Sequence, residues 1–179
     1  VTLNRGGKLN ALDLPMFRQL AATARELISD KSVRWCGRWW CAGRGAASSV
    51  AHPLRARENA AELLHRPEGA VSNLAQQDVA FLWRKVPAPV IAVTHGVCFG
   101  GGLQIALGAD MRVTSPTCRF SVMEAKWGII PDMSLTVTIR ELVPKDVALE
   151  LVMTGRVFEA EEALKLGLVT RIADVNPQP

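Results

Sequence analysis

Two carboxylates, Glu124 and Asp132, lie eight positions apart and could act together in proton transfer. Gly128 and Pro131 fall between them, and both residue types interrupt a helix. The segment is therefore predicted to bend back and to bring both carboxylates to one pocket. Two carboxylates in an apolar pocket acquire different proton affinities, as a paired acid and base require. A structural alternative is that Asp132 caps a helix beginning at Met133, a frequent role for aspartate.

A glycine-rich turn at residues 96–102 follows the apolar run 90–93 and precedes a predicted helix at 103–107. Glycines let a backbone approach a ligand closely, and the first N–H groups of a helix lack partners within it. Such donors suit a developing oxyanion. The turn could equally bind a phosphate or serve only for tight packing. It is neither a P-loop, because no Gly-Lys-Ser/Thr follows, nor a dinucleotide fingerprint, because its glycines are consecutive.

The remaining reactive residue types give weaker signals. Cys98 and Cys118 lie in apolar stretches and are predicted to be buried thiols. Together with Cys36 and Cys41 they form no regular spacing, which argues against a disulfide framework and against a zinc site. A reducing cytoplasm is the expected compartment. Ser134 lies outside any Gly-x-Ser-x-Gly motif, and no histidine is placed to activate it.

The elements that must position these residues alternate between helix and strand, which predicts an α/β fold. A single domain over residues 1–179 is the expectation for this length. Hydrophobic periodicity and chain breakers place the elements. Helices are predicted near residues 17–28, 72–85, 103–107, 146–153 and 159–166, and strands near residues 1–3, 90–93, 111–113 and 119–122.

The composition is that of an ordinary folded protein, with 49% hydrophobic and 21% charged residues. No apolar run reaches the roughly 18 residues that a membrane helix needs, so no membrane association is expected. The net charge of +4 comes from five arginines in residues 34–57, where no acidic residue occurs. Because this excess is local and lies on no recognisable module, nucleic-acid binding is not expected.

Residues 34–54 differ from their surroundings, because three of the five tryptophans lie within 35–40 among arginine, glycine and cysteine. This composition is typical of a GC-rich gene translated out of frame. One hypothesis is a local frame error or a disrupted gene, compensated near Leu54; the alternative is a divergent but genuine loop. The segment shows neither strand alternation nor helical periodicity. It is predicted to be irregular, with some of Trp35, Trp39 and Trp40 exposed.

Several motifs, in order, resemble the enoyl-CoA hydratase/isomerase (crotonase) family. They are residues 2–12 (TLNRGGKLNAL), residues 87–93 (PAPVIAV) followed by the triple glycine 100–102 and Asp110, residues 120–132, and residues 151–168. The resemblance covers the chain outside roughly 34–70. It implies an α/β spiral of ββα units, incomplete here at both termini, that binds an acyl-CoA thioester, uses no metal or redox cofactor and assembles as a homotrimer or hexamer.

The resemblance also assigns roles within the site. The backbone N–H of Gly101 matches one donor of the family's oxyanion hole, with Gly100 beside it. Arg44 supplies the second N–H, although its Cys-Ala-Gly motif comes several residues early and lacks the following Asp. Glu124 matches one of the two glutamates of a hydratase, and Gln104 occupies the position of the other. An amide cannot act as a general base, so classical hydration is disfavoured.

The pair Glu124 and Asp132 resembles the Δ3,5-Δ2,4-dienoyl-CoA isomerase branch of the family. There, one carboxylate removes a proton beside the thioester and the other returns one further along the conjugated chain. Gly100, Gln104 and Trp127 are predicted to contact the substrate, with Ile129 and Ile130 lining the pocket. The implied function is double-bond isomerisation of an unsaturated acyl-CoA in fatty acid metabolism. The alternative is a non-catalytic, truncated crotonase that at most binds acyl-CoA or neighbouring subunits.

Overall fold

The computed structural model describes residues 1–3, 10, 12–34, 36–41, 65–66, 68 and 77–175. The helices are α1 (Leu14–Ser29), α2 (Gln77–Phe81), α3 (Gly101–Ala106), α4 (Leu135–Thr138), α5 (Lys145–Thr154) and α6 (Ala160–Lys165). Short 3-10 helices occur at Leu82–Lys85, Met123–Trp127 and Ile139–Glu141. The strands are β1 (Cys36–Cys41), β2 (Val90–Thr94), β3 (Val97–Phe99), β4 (Met111–Thr114), β5 (Arg119–Ser121), β6 (Phe158–Glu159) and β7 (Arg171–Ile172).

The strands form two sheets between which the chain passes repeatedly. One sheet has the order β1-β2-β4-β7 and is parallel throughout. The other has the order β3-β5-β6, with β3 parallel and β6 antiparallel to β5. Each of β2 and β4 is followed by a strand of the other sheet and then by a helical segment. This arrangement confirms the predicted α/β fold with ββα units.

One apolar core joins the helices to both sheets. Phe17 of α1, Trp83, Phe120 of β5, Leu151 of α5 and Phe158 of β6 are all at most 2% exposed. Burying side chains of this size contributes about 1.5–3 kcal/mol each. The ends of α1 and α5 follow local rules: the carboxylate of Asp13 accepts a hydrogen bond from the N–H of Met16, and Gly155 ends α5 in the left-handed conformation.

The predicted helices and the buried strand β2 are present, but four details differ. Residues 1–3 form no strand, although Leu3 is buried. The described part of the predicted 72–85 helix is α2 followed by a 3-10 turn, and residues 72–76 lie outside the described residues. The turn at 96–102 contains a strand, β3, and its last two glycines already belong to α3. The helix therefore begins earlier, and the turn is shorter, than the glycine pattern predicts.

The segment rich in tryptophan was predicted to be irregular, and this is wrong for Cys36–Cys41. These residues form β1, which pairs with β2 in parallel and shifts register between Gly37 and Trp40. Pairing with a neighbouring strand thus gives an extended conformation to a segment whose sequence shows no alternation. Residues 35 and 42–54 lie outside the described residues, as do the side chains of the three tryptophans, so their predicted exposure stays a prediction.

Candidate active site

Glu124 lies in the 3-10 turn Met123–Trp127 that directly follows β5, and its side chain is only 6% exposed. Gly128 ends this turn at a φ of 68°, a left-handed conformation that glycine adopts readily. The predicted interruption of a helix between Glu124 and Asp132 is thereby confirmed. Helix α4 begins only at Leu135, with Ser134 rather than Asp132 at its N-cap, so the predicted alternative role of Asp132 as a helix cap is wrong.

The amide of Gln104 holds Glu124 in one orientation. Its Nε2 donates a hydrogen bond of 2.6 Å to Oε1 of Glu124, while its Oε1 accepts one of 2.9 Å from the N–H of Met133. Because the Met133 N–H can only donate, the amide oxygen must face it and the amide nitrogen must face Glu124. Gln104 is itself 1% exposed. It positions the carboxylate from within the protein, and its predicted substrate contact stays a prediction.

The second carboxylate oxygen, Oε2 of Glu124, is buried and accepts no hydrogen bond from any described residue. A buried carboxylate oxygen without a donor is uncommon, because desolvation penalises its charge. Burial is the main reason that the pKa of Glu124 is raised, and the nearby charge of Asp132 raises it further, against its hydrogen bonds. The result is a base with one fixed oxygen and one oxygen open to a proton.

Asp132 is half-buried, and burial raises the pKa of its carboxyl group as well. It lines a cavity of about 770 Å³ between α2, α4 and α5. Glu124 is not among the residues that line this cavity. The two carboxylates are thus close enough to interact electrostatically, but only Asp132 faces the cavity.

The triple glycine lies at the start of α3, the helix that carries Gln104. The N–H of Gly100 donates to the carbonyl oxygen of Ser121 at 2.9 Å, which ties the start of α3 to the end of β5. Gly100 adopts a φ of 53° and a ψ of −125°, which favour glycine. Gly101 is the first residue of α3, where N–H groups have no partner within the helix. The predicted oxyanion donor and Glu124 are therefore carried by two elements that are bonded to each other.

The other predicted site residues are placed less favourably or not at all. Trp127 is 54% exposed and does not line the cavity, whereas Ile130 does. Arg44 lies outside the described residues. Cys98 and Cys118 are buried, as predicted. No sequence pattern indicated the Met133 N–H or Ser134, a buried wall residue of the cavity at a φ of 63°. Neither contact follows a short-range pattern that could have revealed it.

The whole chain resembles one family. Residues 1–176 match the family model described as Enoyl-CoA hydratase/isomerase. The chain belongs to the enoyl-CoA hydratase/isomerase family. A stretch of 84 residues is 45% identical to the carnitinyl-CoA dehydratase of Salmonella typhi and covers 47% of this chain and 32% of that protein. The match thus spans about a third of the length of this curated relative.

Solved structures of family members have the same fold. The enoyl-CoA hydratase of Thermoplasma volcanium is 30% identical with a TM-score of 0.74, over 97% of this chain and 67% of that one. The enoyl-CoA hydratase of Mycobacterium smegmatis is 28% identical with a TM-score of 0.69, over 96% of this chain and 64% of that one. Within the described residues, no helix is both long and apolar enough to cross a membrane.

The raised pKa of Glu124 predicts a pH-dependent effect of Glu124→Gln on stability. Between the unfolded value of about 4.5 and the raised folded pKa, the folded state holds this proton more tightly than the unfolded chain. As pH rises through that interval, the unfolded chain releases this proton before the folded state does. The free energy of unfolding of the parent therefore falls. The stability of Glu124→Gln relative to the parent should increase over the same interval and then level off, as measured by urea unfolding at several pH values.

The control for this experiment is Glu161→Gln, since Glu161 is exposed on α6. Its stability relative to the parent should change little with pH. A relative stability of Glu124→Gln that is flat or falls with rising pH would show that burial does not raise this pKa.

Proposed function

We propose that the protein moves double bonds within an unsaturated acyl-CoA, by forming and reprotonating an enolate. The observation that carries this proposal is the state of Glu124: one carboxylate oxygen is fixed by Gln104, and the other is buried with no donor among the residues that the structure describes. Membership of the enoyl-CoA hydratase/isomerase family supports acyl-CoA as the substrate class. Asp132, at the edge of the adjoining cavity, supplies the second proton-transfer group.

In the proposed reaction, a 3,5-dienoyl-CoA becomes a 2,4-dienoyl-CoA. Oε2 of Glu124 removes a proton from C2, beside the thioester carbonyl. The electron pair moves into the conjugated system, and the negative charge on the thioester oxygen is stabilised by the N–H of Gly101. Asp132 then donates a proton to C6, and the double bonds settle between C2 and C3 and between C4 and C5. One proton is removed and one is added, so no other reactant is consumed.

The environments of the two carboxylates fit these roles. Gln104, which lies three residues after Gly101 on α3, is hydrogen-bonded to Glu124, and this supports a thioester site near the start of that helix. Asp132 lies on the cavity side, further along the acyl chain. Burial raises the pKa of both groups, so both carboxyls can hold a proton closer to neutral pH than exposed carboxyls do. The assembly as a homotrimer or hexamer, the cytoplasmic location, the role in fatty acid metabolism and the absence of a cofactor remain predictions.

A second candidate is hydration of a 2-enoyl-CoA or the reverse dehydration, which the 45% identity to a carnitinyl-CoA dehydratase favours. This reaction needs a group that activates or releases water. In the family's hydratases a second glutamate takes part, and here its position holds Gln104. A carboxamide cannot accept a proton at neutral pH. Isomerisation, which the two remaining carboxylates can carry out alone, is therefore the better supported reaction.

The parent and Gln104→Glu distinguish these candidates. The parent should isomerise 3,5-dienoyl-CoA faster than it hydrates 2-enoyl-CoA, both followed by ultraviolet absorbance. Gln104→Glu supplies the missing carboxylate and keeps an acceptor for the Met133 N–H. It should raise the hydration rate by about 10²-fold, at the lower end of the effect of general acid–base groups.

The control is Gln19→Glu, an exposed change on α1 that should alter neither rate. A parent that hydrates faster than it isomerises would contradict the proposal. Failure of both reactions in the parent, with the protein folded, would favour the alternative of a family member without catalysis.

A further inference from the structure

The cavity beside Asp132 has an apolar wall and a charged rim. Its volume of about 770 Å³ lies within the range of ligand pockets. Among the described residues, sixteen line it, and ten of these are apolar: Phe81, Ile130, Pro131, Leu135, Val137, Ile139, Val143, Ala148, Leu149 and Val152. The remaining six are Asp132, Ser134, Thr136, Lys85, Arg140 and Lys145. The wall suits a hydrocarbon chain, and the charged residues sum to a net positive rim.

We propose that this cavity binds the distal part of the acyl chain, and that it selects medium to long chains over chains that end in a cation. The inference rests on the proposed function, because the roles proposed for Glu124, Gly101 and Asp132 give the direction in which the acyl chain runs. Glu124 and Gly101 mark the thioester end, and Asp132 acts on a carbon further along. Since Asp132 lines the cavity and Glu124 does not, the acyl chain passes Asp132 and continues into the cavity.

The discrimination against cations follows from the rim. Lys85, Arg140 and Lys145 form no ion pair within the part of the chain that the structure describes; Lys85 lies 5.5 Å from the centre of the Phe81 ring. Asp132 is the single acidic residue among the described residues that line the cavity, and in the proposed reaction its carboxyl must be protonated to act as an acid. An acyl group that ends in a quaternary ammonium would meet like charges there, which weakens binding.

Binding of saturated acyl-CoAs tests the cavity without catalysis, because they have no double bond to move. Butanoyl-, hexanoyl-, octanoyl- and decanoyl-CoA are titrated into the protein by calorimetry. Burial of a methylene contributes about 0.8 kcal/mol, a factor of about four. Because the cavity is partly open, we expect Kd to fall between about threefold and fifteenfold for each two added carbons.

Two leucines of similar exposure test whether the dependence of Kd on chain length arises in the cavity. Leu149, on α5, lines the cavity and is 48% exposed, whereas Leu164, on α6, is 40% exposed and does not line it. Leu149→Ser should weaken binding of decanoyl-CoA several-fold and leave butanoyl-CoA unchanged. Leu164→Ser should change neither. Both substitutions are at exposed positions. Ala148→Phe places a larger side chain in the cavity and should independently weaken the binding of long-chain acyl-CoAs.

The charge of the rim is tested with two acyl groups of the same shape. 4-(Trimethylammonio)butanoyl-CoA and 5,5-dimethylhexanoyl-CoA differ only in a positively charged nitrogen or a neutral carbon. The parent should bind the neutral group more tightly, by about tenfold. The cationic group is repelled by the exposed charges of the rim and also loses hydration on entering the cavity. Lys145→Glu should reduce this ratio several-fold, and Lys165→Glu, outside the cavity on α6, should leave it unchanged.

The outcomes distinguish failure of this inference from failure of the proposed function on which it rests. Equal Kd values along the length series, or equal effects of Leu149→Ser and Leu164→Ser, overturn the inference, even if a short 3,5-hexadienoyl-CoA is isomerised. An unchanged ratio in Lys145→Glu overturns the selection against cations. Length-dependent binding without isomerisation of any dienoyl-CoA upholds the cavity as an acyl site and overturns the proposed function instead.

Discussion

Glu124→Gln is expected to lower the rate of dienoyl-CoA isomerisation by about 10²–10⁴-fold, the usual effect of removing a general base. The substitution keeps the shape of the side chain, and its amide oxygen can still accept the hydrogen bond from Gln104. It removes the one feature that the mechanism needs, a carboxylate oxygen that can take a proton from C2. The loss should therefore appear in kcat, with KM for the dienoyl-CoA changed little.

The control is again Glu161→Gln, an exposed change that should keep the parent rate. The remaining activity of Glu124→Gln should also lose the pH dependence that the parent shows at the acidic side of its profile. Activity of Glu124→Gln within tenfold of the parent would exclude this residue as the base.

Asp132→Asn is expected to lower isomerisation by a similar factor of about 10²–10⁴ while leaving any hydration of a 2-enoyl-CoA almost unchanged. The difference arises because, in the proposed reaction, Asp132 returns a proton at C6, whereas hydration adds its two groups at C2 and C3, next to the thioester. The measurement is the ratio of the two rates in parent and variant. A ratio that stays constant would show that Asp132 has no separate role in the isomerisation.

Two controls separate chemistry from binding in this variant. Asp174→Asn changes an exposed carboxylate and should leave both rates unchanged. Binding of decanoyl-CoA to Asp132→Asn should match the parent within a few-fold, because asparagine preserves the wall of the cavity. Weak binding together with slow isomerisation would instead assign Asp132 to the shape of the cavity.

The parts of the fold that were predictable are those in which local pattern and tertiary environment agree. Helix α1 has apolar residues at helical spacing, and β2 is a short apolar run bounded by prolines and a glycine. Strand β3 was missed because its three residues lie between glycines, where turn chemistry dominates the pattern. Strand β1 was missed because its sequence, CGRWWC, has no alternation, and pairing with β2 determines its conformation.

For the site, sequence supplied the residue types but not their contacts. Glu124, Asp132 and Gln104 were indicated by the resemblance to the family's motifs, and the break between the two carboxylates follows from Gly128. The hydrogen bond from Gln104 to Glu124 joins residues twenty positions apart, and that from Met133 to Gln104 joins residues 29 apart. No local periodicity encodes such pairs. The cavity likewise forms from three separate helices, so only the assembled structure reveals it.

The two hydrogen bonds of Gln104 have a consequence for the regiochemistry of the reaction. Its amide spans from Glu124 to the backbone of Met133, the residue that follows Asp132. In the proposed isomerisation, this side chain would connect the proton acceptor to the backbone next to the proton donor. Its length would then help to set the distance between the two carboxylates, and with it the carbons between which the double bonds shift. A shorter side chain at position 104, such as asparagine, would be expected to alter which positional isomer is formed.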